Sequence, residues 1–255
     1  MSQGSSNTAN NQTLSAAAKG YIGIVIAAGL PLLAFSAYQT MKVTDVRWLY
    51  LAAFTVVGSV LAVRVPLMKI KGQSLTISVS DVFVFAALLL FGFHVAVTLA
   101  GLEGIASSLR VRVKRAYKQL FNVAELALAT YVVGRVFYWM MGRAYPLDPS
   151  EIALNLKLLV LVNVAGLLYF ALNTAMVALA ISLVLGRPFF TIWSRNFAWL
   201  SAANILNEST AAIIFAFFSP ANYLIIAAVI PVALANYYAR RVNLYRMSQA
   251  NGSHA

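Results

Sequence analysis

Apolar and polar positions divide this chain into long unbroken apolar stretches separated by short basic or polar gaps. Residues 1–18 are rich in Ser, Asn, Gln and Thr, and they carry neither the basic start nor the apolar core of a secretory signal peptide. They read as a disordered tail. Apolar segments then occupy residues 20–39, 48–65, 120–141, 158–185, 201–218 and 223–238. Each is near the length a helix needs to cross roughly 30 Å of hydrocarbon at about 1.5 Å per residue. The segment that starts at Leu158 is long enough to tilt or to project past the bilayer. A transmembrane domain over residues 19–239 and a short basic and polar tail over 240–255 complete the expected organisation.

Residues 75–109 have two readings: one helix with ragged ends, or two short helices folded back at Phe91-Gly92-Phe93. Glycine permits the left-handed backbone that such a turn needs. Basic residues collect in cytoplasmic loops and can arbitrate. A single helix gives seven spans and, in the better orientation, divides the basic loop residues twelve inside to six outside. The hairpin gives eight spans. It brings Lys19, Arg64, Lys69 and Lys71 inside, moves Lys42 and Arg47 outside, and improves the division to fourteen against four. The expected fold is therefore an all-α integral membrane bundle of eight spans, with seven as the alternative and both termini cytoplasmic.

Composition agrees with that class. The chain has 255 residues, 61% hydrophobic and 10% charged, with a mean hydropathy of +0.79. Soluble domains carry about 25% charged residues, so lipid must solvate much of this surface. A net charge of +12 suggests nucleic-acid binding only until the basic residues are placed in gaps between apolar segments, where they report topology instead. Cysteine is absent, which excludes disulfides, thiolate metal sites and cysteine nucleophiles. No pattern calls for a cofactor or a resident metal. Tyr50, Trp139, Trp193 and Trp199 suit interfacial anchors better than a quinone or haem pocket.

The densest basic run holds Arg110, Arg112, Lys114, Arg115 and Lys118, and the expected topology puts it on the same face as Arg240 and Arg241. It reads as a topology signal that contacts anionic lipid, or as a docking surface for a cytoplasmic effector or a second copy of the chain.

Ionisable groups inside a span are costly, and each is a functional hypothesis by default. Asp81, Glu103, Glu125 and Glu208 lie in four different segments, each roughly 7 to 11 Å from the expected cytoplasmic end. Asn122 precedes Glu125 by about one turn, and Asn204 and Asn207 accompany Glu208, so two helices carry polar stripes that should face the bundle interior. Glu103 is followed by Ser107 at i+4 and flanked by Gly101, Gly104 and Ala106, which allow close helix approach. These residues point to a polar cavity for a small ligand, a cation or shared protons. The competing reading is that each acid pairs singly with an inward-reaching Arg or with backbone donors and fixes helix packing. Asp81 has a third reading, because Ser80 or Asp81 can cap a helix start and leave residues 75–80 extended. Arg135 is expected to snorkel outward or to meet Asn163, and His94 follows the hairpin turn as a lone histidine.

Ser78-Val79-Ser80-Asp81-Val82-Phe83-Val84-Phe85, Leu90-Phe91-Gly92, Leu102-Glu103-Gly104 and Ser107-Ser108-Leu109-Arg110 occur in that order. Phe121-Asn122, Tyr169-Phe170-Ala171-Leu172-Asn173-Thr174, the run from Ile192 to Trp199, and Ala211-Ala212 follow. The set resembles the N-terminal membrane sensor module of some bacterial HD-GYP phosphohydrolases. That resemblance implies a multi-pass sensor in the bacterial cytoplasmic (inner) membrane. Phe93 stands where the family usually has proline. No His-Asp doublet or Gly-Tyr-Pro signature occurs, the histidines being His94 and His254, so the expectation is a free-standing or truncated input module without catalysis of its own. Residues 75–109 also resemble, more weakly, the paired helices of substrate-binding components of energy-coupling-factor transporters. The resulting expectation is a sensory or ligand-binding module acting through a separate partner. Its alternatives are a solute-transport subunit and a purely structural or interaction protein.

Overall fold

In the computed structural model the described residues are 14–60, 63–66, 74–77, 80–111, 115–142, 156–196 and 210–211. Seven helices and one β-hairpin occur among them: α1 (Ala16–Thr40), α2 (Trp48–Val60), β1 (Val63–Pro66), β2 (Ser74–Ile77), α3 (Asp81–Phe91), α4 (Phe93–Val111), α5 (Ala116–Met141), α6 (Leu156–Leu185) and α7 (Phe189–Asn196). The chain is helical as expected, apart from the antiparallel hairpin, whose register pairs Val63 with Ile77 and Pro66 with Ser74. Three helices, Ala16–Thr40, Ala116–Met141 and Lys157–Leu185, are long and apolar enough to cross a membrane.

Two expected helical segments are shorter than their apolar runs. The 48–65 segment is helical only over the 13 residues of α2, about 20 Å, and then enters β1. Residues 74–77 form β2 rather than the start of a helix, so α3 has 11 residues and begins at Asp81 with Ser80 as its N-cap. The β-branched residues Val63, Val65, Thr76 and Ile77 favour the pleated conformation that the hairpin uses. Residues 201–218 and 223–238 lie outside the described set except for Thr210 and Ala211, the latter buried in the main core.

The two-helix reading of 75–109 holds. The chain breaks at Gly92, whose φ of 92° and ψ of 173° lie in a region open essentially to glycine. Every residue of α3 from Val82 to Phe91 is buried, as suits a helix that is apolar on all sides. Its last carbonyls lack helical partners, and the Tyr138 hydroxyl of α5 donates to one of them, Leu88 O, at 2.6 Å.

Close approaches fix the relative helix directions. A Cβ on Gly104 would lie 2.9 Å from Val123 Cα, and one on Gly134 would lie 2.4 Å from Phe93 Cβ, so α4 and α5 run antiparallel. The tilted rings of Tyr21 and Phe121 lie 6.1 Å apart and Gly29 abuts Ala124, so α1 and α5 run parallel. Ser15 donates to Leu183 O and Tyr21 to Met176 O, which makes α6 antiparallel to α1. A single helix over residues 75–109 reverses α5 relative to α1; the hairpin restores the observed direction.

Hydroxyls inside the bundle bond back to their own helices. Thr40, Thr55, Ser59, Thr98, Thr130 and Thr174 each donate to the carbonyl four residues earlier, which satisfies them without water.

Candidate functional site

Acids of α3 and α4 lie within electrostatic reach of Glu125 on α5. Glu125 of α5 is 1% exposed, Glu103 of α4 is 5% exposed, and Asp81 is the half-buried first residue of α3. Asp81 and Glu103 both act electrostatically on Glu125, and all three act on the fully enclosed Tyr169 of α6. Tyr21 of α1 also lies within the field of Glu125. One Glu125 oxygen, Oε2, is buried with no hydrogen-bond partner among the described residues.

The local sequence explains why the acids meet. Gly104 follows Glu103 and Ala124 precedes Glu125, and these small residues bring α4, α5 and α1 to backbone contact beside the carboxyls. Glu103 is eight residues from Val111 and Glu125 nine from Ala116, about 12 and 14 Å along their helices. Helices α4 and α5 extend past the apolar runs of the sequence at these ends. For Asp81 that counting fails: strand and turn precede it, as the capping alternative anticipated. The Ser80 side chain makes no capping hydrogen bond.

Asn122 belongs to the packing rather than to the carboxyl cluster. Its Nδ2 donates to Gly104 O, Ser107 Oγ and Ser108 Oγ at 3.4, 3.3 and 3.4 Å, tying α5 to α4 about one turn from Glu125. Asn204, Asn207 and Glu208 lie outside the described residues, as do Arg112, Lys114, Arg240 and Arg241. Arg110, Arg115 and Lys118 are exposed where α4 and α5 meet, with Arg110 in the last turn of α4 and Arg115 the N-cap of α5. No group of three His, Cys, Asp or Glu side chains among the described residues is arranged to hold a metal ion.

Sequence reasoning missed Tyr21 and Tyr169 as companions of the acids. Tyr169 opens a motif singled out for its resemblance, which was the available signal. Its neighbour Thr174 accepts a hydrogen bond from Trp193 Nε1 of α7 at 2.9 Å, so Trp193 is tied to α6 instead of serving only as an interfacial anchor. Asn173, one turn from Tyr169, lies beside its hydroxyl.

The opposite end of the bundle is separate. His94 Nδ1 lies 3.2 Å from Ser36 Oγ, with the Phe35 ring edge-on at 5.4 Å. Arg135 is exposed and sits 5.6 Å over the Phe93 ring, in keeping with an outward-reaching side chain. Between α1 and α2, Arg47 grips Asp45 through Nε at 2.8 and 2.7 Å and through Nη2. These hydrogen bonds hold the Asp45 carboxyl below its ordinary range.

Acids and tyrosines from five helices thus lie together inside an apolar helix bundle. Residues 31–246 match the MASE9 family model, so the chain belongs to the MASE9 family of membrane-associated sensor domains, which are not catalytic by themselves. No curated protein and no solved structure matches the chain.

Proposed function

We propose that the chain is a sensory input module of the bacterial inner membrane. In this reading it has eight spans and both termini are cytoplasmic. Its signal enters at Asp81, Glu103 and Glu125 and leaves through a separate cytoplasmic effector, for which the HD-GYP resemblance suggests cyclic-dinucleotide signalling. The observation that carries this reading is the sealed Glu125 carboxyl, within electrostatic reach of two further acids from neighbouring helices. A charge in that position is costly enough that its state biases helix packing. Family membership supports a sensor, and a sensor needs a second element whose equilibrium it shifts.

Two routes lead out of the cluster. One runs down α4 and α5 to Arg110, Arg115 and Lys118. The other runs from Tyr169 along α6 to Thr174 and, through Trp193, to α7. The basic residues also attract anionic lipid, at about 1 kcal/mol each, so lipid contact alone does not distinguish a relay. Photoreactive groups at Lys118, crosslinked in native membranes, test the proposal. The expected result is capture of an effector or a second copy, with a yield that changes in Glu125→Gln. No such capture, together with solute accumulation in vesicles containing the chain alone, would favour the transport reading.

A further inference from the structure

The chemical identity of the signal follows from how tightly the acids are enclosed. Beside Glu103 and Glu125 the helices come into close contact. A Cβ on Gly29 would lie 2.3 Å from Ala124 O and one on Gly104 2.9 Å from Val123 Cα, both backbone atoms, while one on Gly101 would lie 2.5 Å from the Leu33 side chain. Surfaces in such contact disfavour an organic ammonium between them. A multiply coordinated metal ion needs a ligand group that the described side chains do not form. The smallest positive species needs no cavity, and one buried carboxyl oxygen, Glu125 Oε2, has no hydrogen-bond partner among the described residues.

We propose that Glu125, flanked by Asp81 and Glu103, is a proton-binding site, and that its protonation is the quantity this module reads. This rests on the reading of the same acids as the signal entry. On binding, a proton from water adds to a carboxylate oxygen, an O–H bond forms, and one negative charge is lost from the cluster. On release the charge returns at the point where α4, α5 and α1 are most closely packed, and mutual repulsion of carboxylates favours separation of those helices. The groups facing Glu125 are Asp81 from α3, Glu103 from α4, Tyr21 from α1 and Tyr169 from α6. Arg135 and His94 influence one another near the Gly92 turn, away from the cluster. Tyr21 donates its hydroxyl hydrogen bond to Met176 O.

Infrared difference spectroscopy of the full chain in lipid tests this directly, using the carbonyl stretch of protonated carboxylic acids. The expected spectrum shows a carboxylic-acid band that titrates with pH, shifts when glutamate is labelled with carbon-13, and is lost in Glu125→Gln. Glu125→Asp retains a titrating band, and Asp45→Asn leaves the glutamate band unchanged. If wild-type protein shows no titrating glutamate band, the proposal is overturned, whatever the folding of the variants. Removal of the band by sodium at constant pH also overturns it, in favour of a metal cation. The spectrum reads the site without any partner. Its failure therefore leaves the relay to an effector standing, and failure of crosslinking at Lys118 leaves proton binding standing.

Discussion

Replacing Gly29 by alanine puts a Cβ 2.3 Å from the Ala124 carbonyl oxygen, so α1 must withdraw from α5 beside Glu125. The expected cost is about 1–3 kcal/mol of stability, read by thermal unfolding in detergent. Gly23→Ala is the control, since nothing lies within 4 Å of its Cβ, and a neutral or slightly favourable change is expected there. Equal losses at the two positions would contradict the close packing. Glu103→Gln and Glu125→Gln remove ionisable groups that act on one another, so the double variant should depart from the sum of the singles by about 0.5–3 kcal/mol, whereas strict additivity would mean that the two acids are independent. Asp45 supplies a pH dependence outside the spans. Its folded-state titration lies below the unfolded one, so the Arg47 contact contributes stability above the unfolded value and loses it as pH falls through the folded one. Arg47→Ala should move the Asp45 midpoint up, as followed by carbon-13 NMR of labelled aspartate. Much of this scale was legible in the sequence, because acids within apolar runs stand out. Tyr169 and Tyr21 did not, since tyrosine within an apolar stretch gives no periodic signal until the fold brings it to a carboxylate.

The elements divide by how local their causes are. Gly92 was readable because a glycine between two apolar runs is a plausible break, and its φ of 92° shows that the turn uses the freedom only glycine has. Gly92→Ala should cost about 1–3 kcal/mol, and helix content near the turn, followed by hydrogen exchange, should fall. Tyr138→Phe removes the hydroxyl that serves Leu88 O and leaves that buried carbonyl unpaired, for a loss of about 1–3 kcal/mol. The hairpin β1–β2 was not readable. Its residues are apolar enough to continue the flanking helices, and hydropathy counts length without asking which backbone conformation supplies it. The same blindness made α2 and α3 too long in expectation, and it misplaced Asp81, which begins a helix instead of lying within one. Helix α6 was legible almost to its ends because a mostly apolar run of 30 residues without a strong breaker permits little else.

At the scale of the molecule, α1 and α5 run parallel, with α4 and α6 antiparallel to them, and the proposed eight-span topology requires those directions. Single cysteines at Asp45 and Lys118 test its sidedness without background, because the chain has no native cysteine. The first should react from outside intact cells and the second only after permeabilisation; the reverse would invert the topology. The central claim is that charge at the buried acids changes the cytoplasmic ends of the helices. Lys118 and Arg187 are exposed residues near the neighbouring ends of the antiparallel α5 and α6. Spin labels at these two positions in the full chain, reconstituted in lipid, read the distance between those ends by pulsed electron resonance. Glu125→Gln is expected to shift the distance distribution from that of the unsubstituted protein at a pH where the Glu125 carboxyl is ionised. Identical distributions, in protein whose helix content and stability show that it is folded, would contradict the claim that Glu125 governs the cytoplasmic surface.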